Sequence, residues 1–127
     1  MQRKDIVPKG MEVIRERFNY NPGVVVGDTL YIAGQVGRDG DLNVLEGTTA
    51  QYVQAFENVA KVLDAAGADF NNVVDMVTYH IDISDLPAFI EVKDRYFTQS
   101  VPAWTGIGVK SLAMPGLLIE IKCVAKL

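Results

Sequence analysis

Between residues 53 and 83 the spacing of apolar side chains changes from three-and-four to two. Val53, Phe56, Val59, Ala60 and Leu63 recur at helical spacing and make one apolar face. Val73 to Ile83 (VVDMVTYHIDI) then alternates and is rich in β-branched residues, the pattern of a strand with one face buried. Gly67 is the expected helix stop, because glycine takes the left-handed conformation after a last turn cheaply. A one-faced helix followed by a one-faced strand hides both faces best when the helix lies on a sheet. This is a two-layer α+β design.

The remaining segments are read on the same terms. Met11 to Phe18 (MEVIRERF) alternates and predicts a strand. Val24 to Val26, Gly27-Asp28 and Thr29 to Gln35 predict a hairpin. Arg38 to Asp41 has loop chemistry. Thr48 or Thr49 is the expected cap of the first helix, and Ser84 or Asp85 that of a second, with Pro87 in its first turn and its end near Thr98. Trp104 to Leu112 and Leu117 to Ala125 predict two last strands, with Met114-Pro115-Gly116 as the turn between them. The predicted order is β-β-β-α-β-α-β-β, with both helices on one face of a mixed sheet. The other face would be costly to leave wet, and this predicts association of copies.

A chain of 127 residues is one domain, 1–127, large enough for an ordinary core. Its net charge of -4 disfavours nucleic acid, whose phosphates need a basic surface. No run approaches the roughly 18 apolar residues of a membrane span, and Met1 to Asp5 lacks the apolar stretch of a signal peptide. The expectation is a cytoplasmic protein without membrane or nucleic-acid partners. Cys123 is the one cysteine, so no internal disulfide forms, and its alternation with Ile121 and Ala125 marks a buried small hydrophobe. A single histidine, His80, without a cysteine cluster makes no zinc site. It is read as an ordinary hydrogen-bonded strand residue.

Five segments in order carry a resemblance. They are Tyr20 with Leu30-Tyr31-Ile32-Ala33-Gly34-Gln35; Phe56-Glu57-Asn58-Val59 through Ala65-Ala66-Gly67-Ala68; Val77-Thr78 with Asp85-Leu86-Pro87-Ala88-Phe89 and Tyr96-Phe97; Pro102-Ala103; and Leu118-Ile119-Glu120-Ile121. Together they span nearly the whole chain, which resembles the Rid (YjgF/UK114) family. The resemblance implies a chorismate-mutase-like α+β fold and a homotrimer with a small-molecule pocket between neighbouring subunits. It also implies hydrolysis of reactive enamines and imines without metal or cofactor. In deaminase members an arginine directly after the Pro-Ala pair holds the substrate carboxylate, and a glutamate of the last strand orients water.

The chain departs from that pattern at several positions. Trp104 stands where the arginine would be, Ile90 in place of the second helix's asparagine, Gly106 in place of a cysteine, and Ala33 in place of a serine. Tyr20, Gly34 and Glu120 remain. An indole offers one N–H and no charge, so it cannot replace a bidentate guanidinium.

Each candidate has a plainer reading beside its functional one. Glu120 is a pocket acid that positions water, or a solvated acid paired with Lys122 or Lys110. Tyr20 is a pocket hydroxyl or a packed aromatic. Trp104 is a flat pocket wall or an anchor between subunits. Gly34 presents its backbone to a ligand or marks a strand bend. Arg17 is a candidate to replace the missing cation. Read as strand neighbours across the turn, Trp104 and Glu120 are offset by roughly 20 Å at roughly 3.3 Å per residue, so a shared site needs a second subunit.

The resulting expectation is a deaminase or related hydrolase of an enamine- or imine-like metabolite other than the usual 2-imino acids. A trimer that binds a small molecule without catalysis is the alternative. RNA cleavage ranks last, because the chain has neither a basic aromatic groove nor paired histidines.

Overall fold

The computed structural model describes residues 2–127. It contains one six-stranded sheet and three α-helices. In chain order these are β1 (Arg3–Ile6), α1 (Glu12–Phe18), β2 (Gly23–Val26), β3 (Thr29–Val36), α2 (Thr48–Ala65), β4 (Val73–His80), α3 (Leu86–Lys93), β5 (Ala103–Gly108) and β6 (Ile119–Lys126). Across the sheet the order is β1-β2-β3-β6-β4-β5. β4 and β5 pair in parallel and the other neighbours are antiparallel.

The hairpin, the long helix and the strand at 73–80 form where the sequence places them, and Gly67 has the expected positive φ of 75°. Phe56, Val59, Val62 and Leu63 of α2 are buried against the inner row Leu30, Ile32, Met76, Ile119, Ile121, Cys123 and Ala125. Around Phe56 an aromatic cluster forms: Tyr96 stacks on it at 4.8 Å, and Phe89 at 5.5 Å. This is a two-layer α+β fold with the main core between α2, α3 and the sheet.

Several expectations are corrected. Residues 12–18 are a helix, because Met11 and Ile14, three apart, are the buried pair and Asn19 ends the segment in the left-handed region at φ 56°. The first strand is instead Arg3–Ile6, whose only buried side chain is Ile6; such an edge strand has no alternation to read. Neither threonine caps α2, since its cap position is Gly47, without a side-chain bond. A 3-10 turn at Ile83–Asp85 precedes α3 and is capped by Asp82, which accepts from Ser84 N at 3.1 Å. Asp85 does occupy the cap position of α3, but its side chain makes no capping bond; its carboxylate accepts from the Tyr52 hydroxyl at 2.5 Å instead. The helix ends at Lys93 rather than near Thr98.

The largest correction concerns the last two strands. β5 and β6 are not neighbours: β6 lies between β3 and β4, and β5 pairs only with β4. Met114-Pro115-Gly116 therefore belongs to a crossing loop over 109–118, and the strand-offset argument for separating Trp104 from Glu120 does not hold.

That crossing loop is tied to α2 by one side chain. Gln51, 1% exposed, donates from Nε2 to Leu45 O at 2.9 Å and Gly116 O at 2.8 Å, and accepts from Leu118 N at 2.8 Å. Gln51→Leu leaves two carbonyls and one amide without partners. The expected loss is about 2–4 kcal/mol, read as a lower urea midpoint with an unchanged slope.

Candidate functional site

The site begins with an irregularity in β3. Its ladder with β6 is regular from Thr29 to Ile32 and then shifts register before Gln35, which puts a bulge at Ala33-Gly34. Glu120 of β6 lies at this point, between Val36 of β3 and Tyr79 of β4. A Cβ at Gly34 would stand 2.5 Å from Glu120 Oε2 and 2.7 Å from its Cδ. Only glycine leaves space for the carboxyl group to lie across the strand there.

The carboxyl group lines an open hollow of about 370 Å³ with Phe18, Tyr20, Gly34, Arg38 and Met114. Burial pushes its pKa above the usual glutamate value, against the smaller opposite pull of Lys122 and Arg38. Among the described residues it is in no ion pair. Burial makes the charged form of this acid less favourable than in a free glutamate, so it takes up a proton more readily.

Arg38 was not singled out from the sequence, where it reads as one residue of a charged loop. In the structure its main chain is held firmly. Asn58 of α2, buried, donates from Nδ2 to Val36 O at 3.0 Å and Arg38 O at 2.9 Å, and Arg38 forms a bridge with Val44. Its guanidinium lies 5.5 Å from the Phe18 ring centroid and donates to Met114 Sδ at 3.1 Å. The signal that could have found it is its place two residues after the Gln35-Val36 strand end, where a chain leaving a sheet edge presents side chains to a site. Arg17, the candidate considered for that role, is exposed; it also lies over Phe18, at 5.6 Å, but does not line the hollow.

Trp104 and Ile90 are not in this hollow within one chain. Trp104 pairs with Met76, in register with Cys123, so its side chain shares their helix-covered face. Glu120 alternates with the buried Ile119 and Ile121 and faces the other way. The indole tilts against Phe89 at 5.8 Å, has the Lys93 ammonium 5.3 Å from its centroid, and donates to Thr78 Oγ1 at 2.9 Å. Its single N–H is thus already used. Ile90 is 36% exposed on α3. Tyr20, Gly34 and Glu120 do come together in one hollow.

Behind Trp104 the Thr78 hydroxyl also bonds His80 Nε2 at 2.7 Å, in the sealed core. His80 Nδ1 has no partner. Cys123 is buried as expected, and burial pushes its thiol up to about 12. Among the described residues no three His, Cys, Asp or Glu side chains form a metal-binding group, and no helix is long and apolar enough to cross a membrane.

Comparison with known proteins agrees with this architecture. The family described as Endoribonuclease L-PSP matches residues 12–127. The human protein named 2-iminobutanoate/2-iminopropanoate deaminase is 38% identical over 109 residues, covering 84% of this chain and 78% of its own. The RutC family protein YjgH of Escherichia coli is 30% identical over 129 residues, covering 100% and 97%. A solved structure of protein YJGH superposes with a TM-score of 0.91 at 30% identity, over 100% of this chain and 98% of that one. RidA from an Antarctic Psychrobacter gives 0.81 at 34%, over 85% and 88%. The chain belongs to this family, the Rid (YjgF/UK114) proteins, and has their α+β fold.

The buried imidazole gives the fold a pH dependence. Burial lowers the His80 pKa, with Asp85 pulling weakly the other way. The folded chain keeps the ring neutral while the unfolded chain protonates it near 6.5. The stability associated with the neutral ring is therefore complete above pH 6.5 and falls below it, by at most about 1.4 kcal/mol per pH unit. Glu120, with its raised pKa, acts in the opposite sense at lower pH. The difference between wild type and His80→Gln in urea unfolding from pH 7.5 to 5 isolates the histidine. The difference should shrink as pH falls; a constant one refutes the assignment.

Proposed function

We propose that this protein hydrolyses a small enamine- or imine-type metabolite in the hollow around Glu120, acting as a homotrimer whose neighbouring copies complete the pocket. The observation that carries the reading is an unpaired, half-buried carboxyl group with a raised pKa, laid across Gly34 beside Tyr20. Family membership and the deaminase named among its relatives support it.

The chemistry asked of Glu120 is modest. Water adds to the carbon of C=N as the carboxylate takes one of its protons and passes it to nitrogen, giving a neutral carbinolamine. On collapse the carboxylate takes the hydroxyl proton as C=O forms and hands it to nitrogen, which leaves as ammonia as the C–N bond breaks. A base with a pKa moved toward the working pH contributes roughly 10²–10⁴-fold to such a step.

The position after Pro102-Ala103 favours a substrate other than the usual 2-imino acids. Trp104 carries no charge there, and its N–H is committed to Thr78. Trimer formation is supported by the sheet face away from α2, where Tyr31 is 49% and Ile107 40% exposed, in a row with Val77, Tyr79 and Val124. Because Trp104 and Glu120 use opposite faces of one sheet, a pocket containing both needs more than one copy. RNA cleavage fits least, since the only histidine is sealed in the core.

Two measurements test the reading. Native mass spectrometry should show three times the 13.9 kDa chain mass; a monomer at micromolar concentration removes the shared pocket. Imines generated in place by an amino-acid oxidase should release ammonia faster in the protein's presence, with 2-iminopropanoate a poor substrate. Glu120→Gln should lower the rate about 100-fold or more. A Glu120→Gln rate equal to wild type overturns the hydrolytic role. Binding of the ketone product without any imine turnover would leave a ligand-binding trimer.

A further inference from the structure

The crossing loop over 109–118 and the loop after β3 touch through a sulfur atom. Met114 Sδ accepts from Arg38 Nη1 at 3.1 Å, and both side chains line the hollow. The main chain around the thioether is fixed. Leu117 N donates to Met114 O at 3.3 Å, and Gln51 holds Gly116 and Leu118. Asn58 fixes the main chain of Arg38, whose guanidinium rests on the Phe18 ring. The bond between the two loops is nonetheless weak, because a thioether is a poor acceptor. Of the methionines in the described residues, Met11 and Met76 are buried in the core, and only Met114 is half-buried at an open hollow. The other sulfur, Cys123, is sealed in the core with its thiol pushed up to about 12, so it does not compete for an oxidant.

We infer that Met114 is a reversible oxidation site whose sulfoxide locks the crossing loop to Arg38 and closes the hollow. The oxidant is a peroxide. A sulfur lone pair attacks one oxygen of hydrogen peroxide, and an S–O bond forms as the O–O bond breaks. The departing hydroxide takes the proton of the transferred oxygen and leaves as water. Sulfur is oxidised by two electrons and the peroxide is reduced by two. The guanidinium beside the sulfur favours this step, because negative charge builds on the leaving oxygen. The sulfoxide oxygen is a far better acceptor than the thioether, and the Arg38 donors already point at its position. A weak bond between the two loops thereby becomes a charge-assisted one. A methionine sulfoxide reductase, drawing on a dithiol, removes the oxygen again as water. The effect on ligands rests on reading the hollow as the ligand site; the oxidation site does not.

The test treats the whole protein with hydrogen peroxide and follows each methionine by peptide mass spectrometry. Met114 should be oxidised about tenfold or more faster than Met11 and Met76. Hydrogen exchange then reads the loop: amides within 110–118 should exchange about threefold or more slowly after oxidation. Arg38→Leu keeps the sulfur and removes the donors, so its oxidation should give no slowing. Met114→Gln places a carbonyl acceptor there without an oxidant and should show slow exchange untreated. Urea midpoints within the wild-type range confirm folding; if Arg38→Leu does not fold, Met114→Gln decides. Imine turnover is compared with each protein's own untreated sample. Peroxide should lower it about tenfold or more in wild type, the reductase with a dithiol should restore it, and Met114→Leu should not respond.

Equal oxidation of the three methionines, or unchanged loop exchange once Met114 is oxidised, overturns the inference. So does turnover that survives complete oxidation of Met114. None of these results touches the hydrolytic reading, which stands or falls on turnover by Glu120→Gln. Absence of turnover in the untreated protein removes that reading instead, and oxidation rates and loop exchange then decide the inference by themselves.

Discussion

The structure depends on the placement of the last strand between β3 and β4. Among the described residues β6 is the only strand flanked on both sides by long antiparallel ladders, and it contributes one row to each face of the sheet. Its inner row of Ile119, Ile121, Cys123 and Ala125 is almost wholly buried under α2 and α3. Its outer row presents Glu120, Lys122 and Val124. Neither sheet half can close without it: β1-β2-β3 and β4-β5 meet only through β6. Core and candidate acid are thus fixed by the same hydrogen bonds, with a period of two separating their roles.

Central placement of a C-terminal strand requires the chain to travel from β5, at the far edge, back across β4. The segment 109–118 makes that passage, and it has no regular structure of its own to hold it. Gln51 supplies what secondary structure does not, satisfying main-chain groups on both the 45–47 approach to α2 and the passage itself. Gly37 packs directly on this glutamine, where any larger side chain would displace it. Asn58, two turns further along α2, grips Val36 and Arg38 in the same manner. Two buried amides on one helix face thus secure the loops that border the hollow. They are polar residues within an apolar helical pattern, and their buried positions are the clue to that task.

What could be read from the sequence follows from where periodicity is strong. The helix at 48–65 and the strand at 73–80 each have one fully buried face, so composition records their geometry. The segment at 12–18 has two turns and few buried contacts, and over seven residues the two periods are hard to distinguish. Arg3–Ile6 is an edge strand held by main-chain bonds, which leave no trace in side-chain choice. Strand order is the least local property of all. Residues 104–108 and 119–126 look like a hairpin in sequence, and only the competition for β4 and β3 separates them. For the site, Tyr20, Gly34 and Glu120 carried a family pattern, whereas Arg38 did not. Its importance lies in what surrounds it in space: a phenyl face, a thioether and an unpaired acid.

Glu120 and Arg38 share the hollow, and among the described residues neither is in an ion pair. Gly34 leaves the space in which the Glu120 carboxyl group lies at the bulge, and Asn58 with the Val44 bridge fixes the Arg38 main chain. Polar groups left without partners at such a place are more often functional than structural. Trp104 shows the contrast. Its N–H, ring face and ring edge all have partners within the chain, so position 104 contributes packing to the helix-covered face. The unsatisfied chemistry of this chain lies on the opposite face, at the loop after β3.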